Sequence, residues 1–318
     1  MAMSSRRKRA VTLTEVARGL RFPEGPVVMP DGSLLVVEIA AGTLARIGAA
    51  GERSIVAQPG GGPNGAAIGP DGRCYICNNG GFAWRERNGS MLPVGTAEGY
   101  AGGSIQAVDL RTGAVQVIHD RIEGRKLNGP NDIVFDAAGG FWFTDPGHAH
   151  GRSRDRGAVY YALPDGSTIR EVIYPLEMPN GIALSPDGGT LYVAETMTGR
   201  LWAWNLAGPG QIERGQRNIL GGSGRIVIGL GGFRLFDSMA VDTAGNIHVG
   251  TVPDGISVIS PGGRLLDQIA MPEPFATNLC FGGPDMRTVY VTLSSTGRVV
   301  AFDGCYQGAA LNFQGRQT

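Results

Sequence analysis

Residues 179–204 read PNGIALSPDGGTLYVAETMTGRLWAW. Three short strands are expected here. Residues 180–185 alternate roughly in and out, residues 186–189 (PDGG) supply a tight turn of the kind that needs positive φ, and residues 191–194 form a second strand. After a Thr-Gly turn, residues 201–204 form the third. The chain repeats this pattern six times. The other copies are PEGPVVMPDGSLLVVE around Glu24, PNGAAIGPDGRCYIC around Asn64, PNDIVFDAAGGFWFTD around Asn131, FDSMAVDTAGNIHVGT around Asp237 and TNLCFGGPDMRTVYVT around Asn278.

The leading residues of the copies are 40, 67, 49, 57 and 41 residues apart. A period of about forty residues, each unit a turn-punctuated run of strands, is the signature of a β-propeller with four-stranded blades. The fold expected is therefore all-β, a six-bladed propeller around a central metal-binding channel. The long spacings mark insertions at about 78–103 and 206–235.

In a propeller the first strand of each blade is the innermost, so Glu24, Asn64, Asn131, Asn180, Asp237 and Asn278 should form a ring around the channel. One such Asn is explained by a side chain that bonds its own backbone at a strand start. Six oxygen-bearing side chains at one repeat position are not. A ring of oxygens converging on an axis is what a hard divalent cation requires.

One propeller accounts for all 318 residues, so residues 11–318 are read as a single domain. The 52 glycines and 19 prolines sit at repeat-fixed places, which excludes low-complexity disorder. A net charge of zero gives no footprint for nucleic acid or a membrane surface. Residues 1–10 (MAMSSRRKRA) are basic but are followed by no apolar run. They are read as a disordered tail rather than a signal peptide, and the cytoplasm is the expected location. A homo-oligomer is compatible with this reading. Residues 11–16 alternate like a strand and are expected to complete the blade that contains Asn278.

Several local patterns invite chemistry and are set aside. Cys74 and Cys77 form a CxxC, but residues three apart on a strand face opposite ways; a core role is assigned to them and to Cys280 and Cys305. His148 and His150 form an HxH without metal-ligand partners at set spacing, and a solvated or substrate-lining role is expected. The Gly-rich run LGGSGRIVIGLGGFRL lacks the strand–loop–helix context of a phosphate cradle, and is read as an outer strand plus a loop over the pocket. Residues 78–103 (NNGGFAWRERNGSMLPVGTAEGYAGG) are too long for a hairpin turn and rich in aromatics; Phe82, Trp84, Met91 and Tyr100 suggest a packed cover.

Taken together, PEGPV, LNGPNDIVFDAAGGFWFTDPG, PNGIALSPDG…LYVAET and DSMAVDTAGNIHV resemble the SMP-30/gluconolactonase/luciferin-regenerating-enzyme family, nearest its bacterial gluconolactonase-like branch, over residues 20–303. The resemblance implies a six-bladed propeller with one divalent cation in the channel that hydrolyses sugar lactones or, in relatives such as diisopropyl-fluorophosphatase, phosphotriesters. It makes Glu24, Asn180 and Asp237 the core ligands and Asn131 a fourth ligand or a substrate-orienting group. Asn64 and Asn278 complete the ring behind them. Two carboxylates plus amides suit Ca²⁺ first, with Mn²⁺, Mg²⁺, Zn²⁺ or Fe²⁺ as alternatives.

The expected reaction is direct attack of water on a polarised lactone carbonyl, with Asp237 as first choice of base, Glu24 as second and Asn131 beside the reacting group. No GxSxG elbow or Cys-His pair offers a covalent route. Asn64, Asn131, Asn278, Trp84 and His148 are the candidate substrate contacts. Many sugar lactonases of the family carry an arginine two residues before the blade-3 Asn. Gly129 stands there, which favours a less polar lactone or ester. Another ester or phosphotriester hydrolase on the same scaffold is the alternative, and a non-catalytic metal-binding propeller the third reading. Loop residues such as Trp84, His148 and Phe233 would separate the substrates.

Overall fold

The second strand of every copy is an apolar run: LLVV, CYIC, FWFT, LYVA, IHVG and VYVT. Such a strand must be covered on both faces, and the computed structural model, which describes residues 8–214 and 223–314, shows how. Leu34 and Val36 point into a cluster shared with the sixth blade, whereas Leu35 and Val37 point into a cluster shared with the second. The same alternation is repeated around the molecule, so that a hydrophobic cluster fills each of the six interfaces between neighbouring blades. No separate central core is needed, and the axis stays open for polar groups.

Blade 1 runs Pro23–Val28, Leu34–Glu38, Thr43–Ile47, Arg53–Ala57, and blade 2 Pro63–Ile68, Cys74–Asn78, Ser104–Val108, Val115–His119. Blade 3 is Ile133–Phe135, Phe141–Asp145, Gly157–Ala162, Ile169–Leu176; blade 4 is Pro179–Leu184, Thr190–Glu195, Arg200–Gly208, Arg225–Gly229. Blade 5 is Leu235–Val241, Ile247–Val252, Gly255–Ile259, Leu265–Ile269. Blade 6 takes Ala276–Gly282, Thr288–Leu293 and Arg298–Asp303 from the C-terminal end of the chain and its outer strand, Thr14–Ala17, from the other end, paired as Thr14↔Ala301 and Glu15↔Val300. This six-bladed all-β architecture is the one expected from the repeats.

Two expectations are corrected. Lys8 and Arg9 do not belong to a disordered tail. The Arg9 amide donates to the Gln268 carbonyl, its guanidinium reaches Asp267 at 2.6 Å, and the Lys8 ammonium lies 2.7 Å from Asp254. The basic character read as a tail is thus used to pin the chain to the acidic edge of blade 5; residues 1–7 lie outside the described residues. Cys305 is exposed and follows the last strand, unlike buried Cys74, Cys77 and Cys280. Cys74 and Cys77 enter different interblade clusters.

The first insertion folds as a hairpin of Phe82–Arg87 and Ser90–Thr96. Of the second, Arg225–Gly229 is the outer strand of blade 4 and residues 215–222 lie outside the described residues. At the opposite face, residues 308–314 cross the end of the channel. Ala309 donates to the Val241 carbonyl, the Asn312 amide to Phe135 and the Gln314 amide to Val28, which ties together blades 5, 3 and 1. No helix among the described residues is long and apolar enough to cross a membrane.

Candidate metal centre

The six ring positions fall where the innermost strand of a blade begins. In five blades the pairing with the second strand carries one extra residue at or beside the ring position: between Glu24 and Val27, Pro63 and Ala66, Pro179 and Ile182, Phe236 and Met239, and Ala276 and Asn278. A bulge breaks the in-out alternation and re-aims a side chain, here at a place where regular pairing would send it into an interblade cluster.

The residue that follows is glycine in blades 1, 2 and 4 because the next blade is too close for anything larger. A Cβ on Gly25 would stand 2.6 Å from the Asn64 carbonyl oxygen, on Gly65 2.5 Å from that of Asn131, and on Gly181 2.6 Å from that of Asp237. Successive ring residues therefore touch through their backbones. The Gly65 amide also donates to the Asn131 carbonyl at 2.6 Å, and the Thr144 hydroxyl to that of Asn180 at 2.6 Å.

A second set of side chains holds the loops that lead into the ring. Glu38, at the end of its strand, accepts the Arg21 amide at 2.8 Å, and Asn78 accepts that of Gly62 at 2.9 Å. Asp145 accepts those of Asn128 and Gly129, both at 2.8 Å, and Glu195 that of Glu177 at 2.8 Å. Each anchors backbone two or three residues before a ring position. The signal was available in the copies, which end in VVE, FTD and VAE, but it gained meaning only from the geometry.

Glu24, Asn64, Asn180 and Asn278 are buried, and Asn131 and Asp237 half-buried. Glu24 Oε2 accepts from the Asn278 side-chain amide at 2.8 Å and from the Gly25 N–H at 3.1 Å. Asn278 Oδ1 is in turn occupied by the Leu279 N–H at 2.7 Å. Asn278 is thus placed as a brace for Glu24. Asp237 Oδ1 accepts the Ser238 N–H at 3.1 Å, and the Ser238 hydroxyl points to Asn180 Oδ1 at 3.5 Å. Asp132, which sequence reasoning passed over, lines the cavity below the ring, a space of about 540 Å³ with mostly apolar walls that ends at the C-terminal segment. Its signal was an acidic residue where three other copies have glycine.

The electrostatics call for a cation. Burial, and then the negative charge of Glu24, push Asp237 well above the usual carboxylate range. Burial likewise raises Glu24, and lifts Asp132 to about 7. Among the described residues no ion pair with Lys, Arg or His involves Glu24, Asp132 or Asp237. Unpaired buried carboxylates cost several kcal/mol each. The Asn131 Oδ1 atom is buried and has no hydrogen-bond partner among the described residues. An orphaned amide oxygen and two carboxylates on one ring fit a hard divalent ion. No group of three or more His, Cys, Asp or Glu side chains forms a metal cluster among the described residues, so the amides are needed to complete the site.

The loop candidates separate. Trp84 is half-buried in the hairpin against Phe22, and Phe233 is 76% exposed in the loop before blade 5. His148 is neither solvated nor open to a ligand. It is buried, with Nε2 3.1 Å from the Asn79 carbonyl and Nδ1 3.2 Å from the Thr96 hydroxyl. His150 is exposed and pairs with Asp155.

Comparison with known proteins places the chain. The sequence model of the SMP-30/Gluconolactonase/LRE-like region matches residues 22–295. The chain is 27% identical over 303 residues to a gluconolactonase of Zymomonas mobilis, covering 88% of this chain and 78% of that protein. It is 32% identical over 197 residues to diisopropyl-fluorophosphatase of Loligo vulgaris, covering 57% and 59%. Among solved structures it resembles regucalcin, a calcium-binding protein of Agrobacterium tumefaciens, at a TM-score of 0.75 and 18% identity over 97% of this chain and 98% of that one, a likeness of fold. The chain belongs to the SMP-30/gluconolactonase/LRE-like family.

Proposed function

We propose that this chain is a divalent-cation-dependent hydrolase that opens a lactone ring, with Ca²⁺ as the first choice of ion. The observation that carries the reading is the ring itself: among the described residues Glu24 and Asp237 have no cationic partner and Asn131 Oδ1 has no hydrogen-bond partner. Glu24, Asn180, Asp237 and Asn131 would hold the ion, and when bound it would supply positive charge to polarise an ester carbonyl and stabilise the charge that develops on its oxygen.

The chain's own residues do the rest. Asn278 and the Gly25 N–H hold Glu24 in place. Asp237 Oδ1 accepts the Ser238 N–H, which fixes the carboxylate that is the first choice to accept a proton from the attacking water; Glu24 is the second choice. Asn131 orients the reacting group. The similarity to gluconolactonase supports a lactone substrate, and Gly129 in place of a cationic side chain favours a less polar one. Similarity to diisopropyl-fluorophosphatase supports a phosphotriester as the second reading.

The test is elemental analysis of purified protein together with a pH-drop assay on γ- and δ-lactones, for wild type and Glu24→Gln/Asp237→Asn. One divalent ion per chain, lost with activity in the double variant, is the expected result. Bound metal with hydrolysis of a phosphotriester but of no lactone would transfer the assignment to the second reading. Absence of metal even after reconstitution would overturn both.

A further inference from the structure

A continuous arc of aromatic rings links the segment that leads to Glu24 with the segment that leads to Asn131. Phe22, two residues before Glu24, lies 4.9 Å from Trp84, centroid to centroid. Trp84 lies 5.9 Å from Phe82, Phe82 5.8 Å from the His148 imidazole, and His148 4.5 Å from Tyr100. At the far end the Tyr100 hydroxyl donates to the Asn128 carbonyl. The His148 ring lies so near Gly129, two residues before Asn131, that a Cβ there would stand 3.0 Å from Nε2. The arc therefore runs from the approach to the blade-1 ring residue to the approach to the blade-3 ring residue.

The hairpin carries the middle of this arc and is fixed at several points. Met91 packs among Phe22 and Ile39, Glu86 pairs with Arg21 at 2.8 Å, and the Ser90–Thr96 strand runs beside the 3₁₀ turn Ser294–Thr296 of blade 6. Rooted in blade 2, the hairpin thus crosses blade 1 and reaches blade 6. His148 fastens its base. The Asn79 carbonyl can only accept, so Nε2 carries the proton and Nδ1 receives the Thr96 hydroxyl. With both nitrogens engaged, His148 serves the hairpin and not a ligand. Phe82 and Trp84 remain half-buried and keep apolar surface uncovered.

We infer that this arc is the specificity wall of the site, selecting substrates whose lactone ring carries an apolar substituent, with Phe82 and Trp84 as the contacts and His148 as a positioning residue. The inference rests on the hydrolase reading for the word lactone, and on the arc alone for the apolar substituent. Covering aromatic surface with an alkyl chain is favourable by about 25 cal/mol per Å², so burial of about 60 Å² gives roughly tenfold in kcat/KM.

The experiment compares kcat/KM for γ-undecalactone and γ-butyrolactone on the metal-loaded full chain. Wild type should prefer the long-tailed lactone, and Phe82→Ala and Trp84→Ala should each cut that preference about tenfold, mainly through KM. His148→Ala should do the same with metal content retained, and His148→Gln, which keeps a donor for the Asn79 carbonyl, should recover part of it. A preference that none of these variants moves, or a wild type that hydrolyses both lactones equally well, overturns the inference and leaves the hydrolase reading standing. Should wild type hydrolyse neither lactone, the lactonase reading fails, and quenching of tryptophan fluorescence by γ-undecalactone decides the wall. Binding weakened by Phe82→Ala and His148→Ala supports it, and binding equal to wild type overturns it.

Discussion

Gly65 meets the Asn131 carbonyl oxygen and the Asp132 Cα at 2.5 and 2.6 Å from where its Cβ would be. Both are backbone atoms and neither can rotate away, so Gly65→Ala must push blades 2 and 3 apart at the ring. A cost of about 2 kcal/mol or more is expected, seen as a lower urea midpoint, together with weaker Ca²⁺ binding by calorimetry. Gly231→Ala is the control. It has nothing among the described residues within 4 Å of its Cβ position and should stay within about 0.5 kcal/mol of wild type. An equal midpoint for the two variants would refute the close-approach account. The glycine was visible in three copies of the repeat, but the reason for it is a distance to a residue 66 positions away in sequence. The same holds for Asn278. Its place in the ring follows from the repeat, whereas its service to Glu24 depends on blades 6 and 1 lying side by side.

The strand Thr14–Ala17 closes the circle of blades. Ala17 and Val16 pack with Leu34, Val36, Cys280 and Val299, and Val11 and Leu13 lie against the cluster between blades 5 and 6. Deleting residues 1–17 should therefore cost about 3 kcal/mol or more, from apolar burial alone, and leave Arg298–Asp303 as an unpaired edge prone to association. Thermal melting and light scattering check this, and an unchanged melting temperature would refute it. Alternation in residues 11–16 was enough to expect a strand, since period two needs no partner to be recognised. Residues 8–10 carry no such period. Their pairing with blade 5 combines backbone hydrogen bonds of Arg9 with Gln268 and Ala270 and ion pairs to Asp254 and Asp267, which only proximity makes relevant. An insertion with a packed cover at 78–103 was announced by length and composition, but not its folding as a hairpin of Phe82–Arg87 and Ser90–Thr96 or its course over blade 1.

At the scale of the whole molecule, six interblade clusters hold an axis lined with acidic and amide groups, and the fold bears the cost of gathering Glu24, Asp132 and Asp237 there. Metal removal should expose that cost. In chelator-stripped protein, Asp237→Asn removes one of the mutually repelling buried charges and should raise the melting temperature by about a few degrees. In protein loaded with Ca²⁺ the same variant should lower it, because a ligand is lost and the stabilisation by bound ion, about 2.7 kcal/mol at a hundredfold excess over Kd, is reduced. A shift of the same sign in both conditions would mean that Asp237 does not bind the ion. By itself the sequence determined the blades, their order and the identity of the ring residues, because each is written in a local, repeated pattern of strand, turn and leading oxygen. Only the tertiary structure decided which side chains brace the ring, how near successive blades approach, and that rings of a blade-2 insertion pack in an arc with Phe22 and His148. Those are distances between residues far apart in the chain, and no local pattern encodes them.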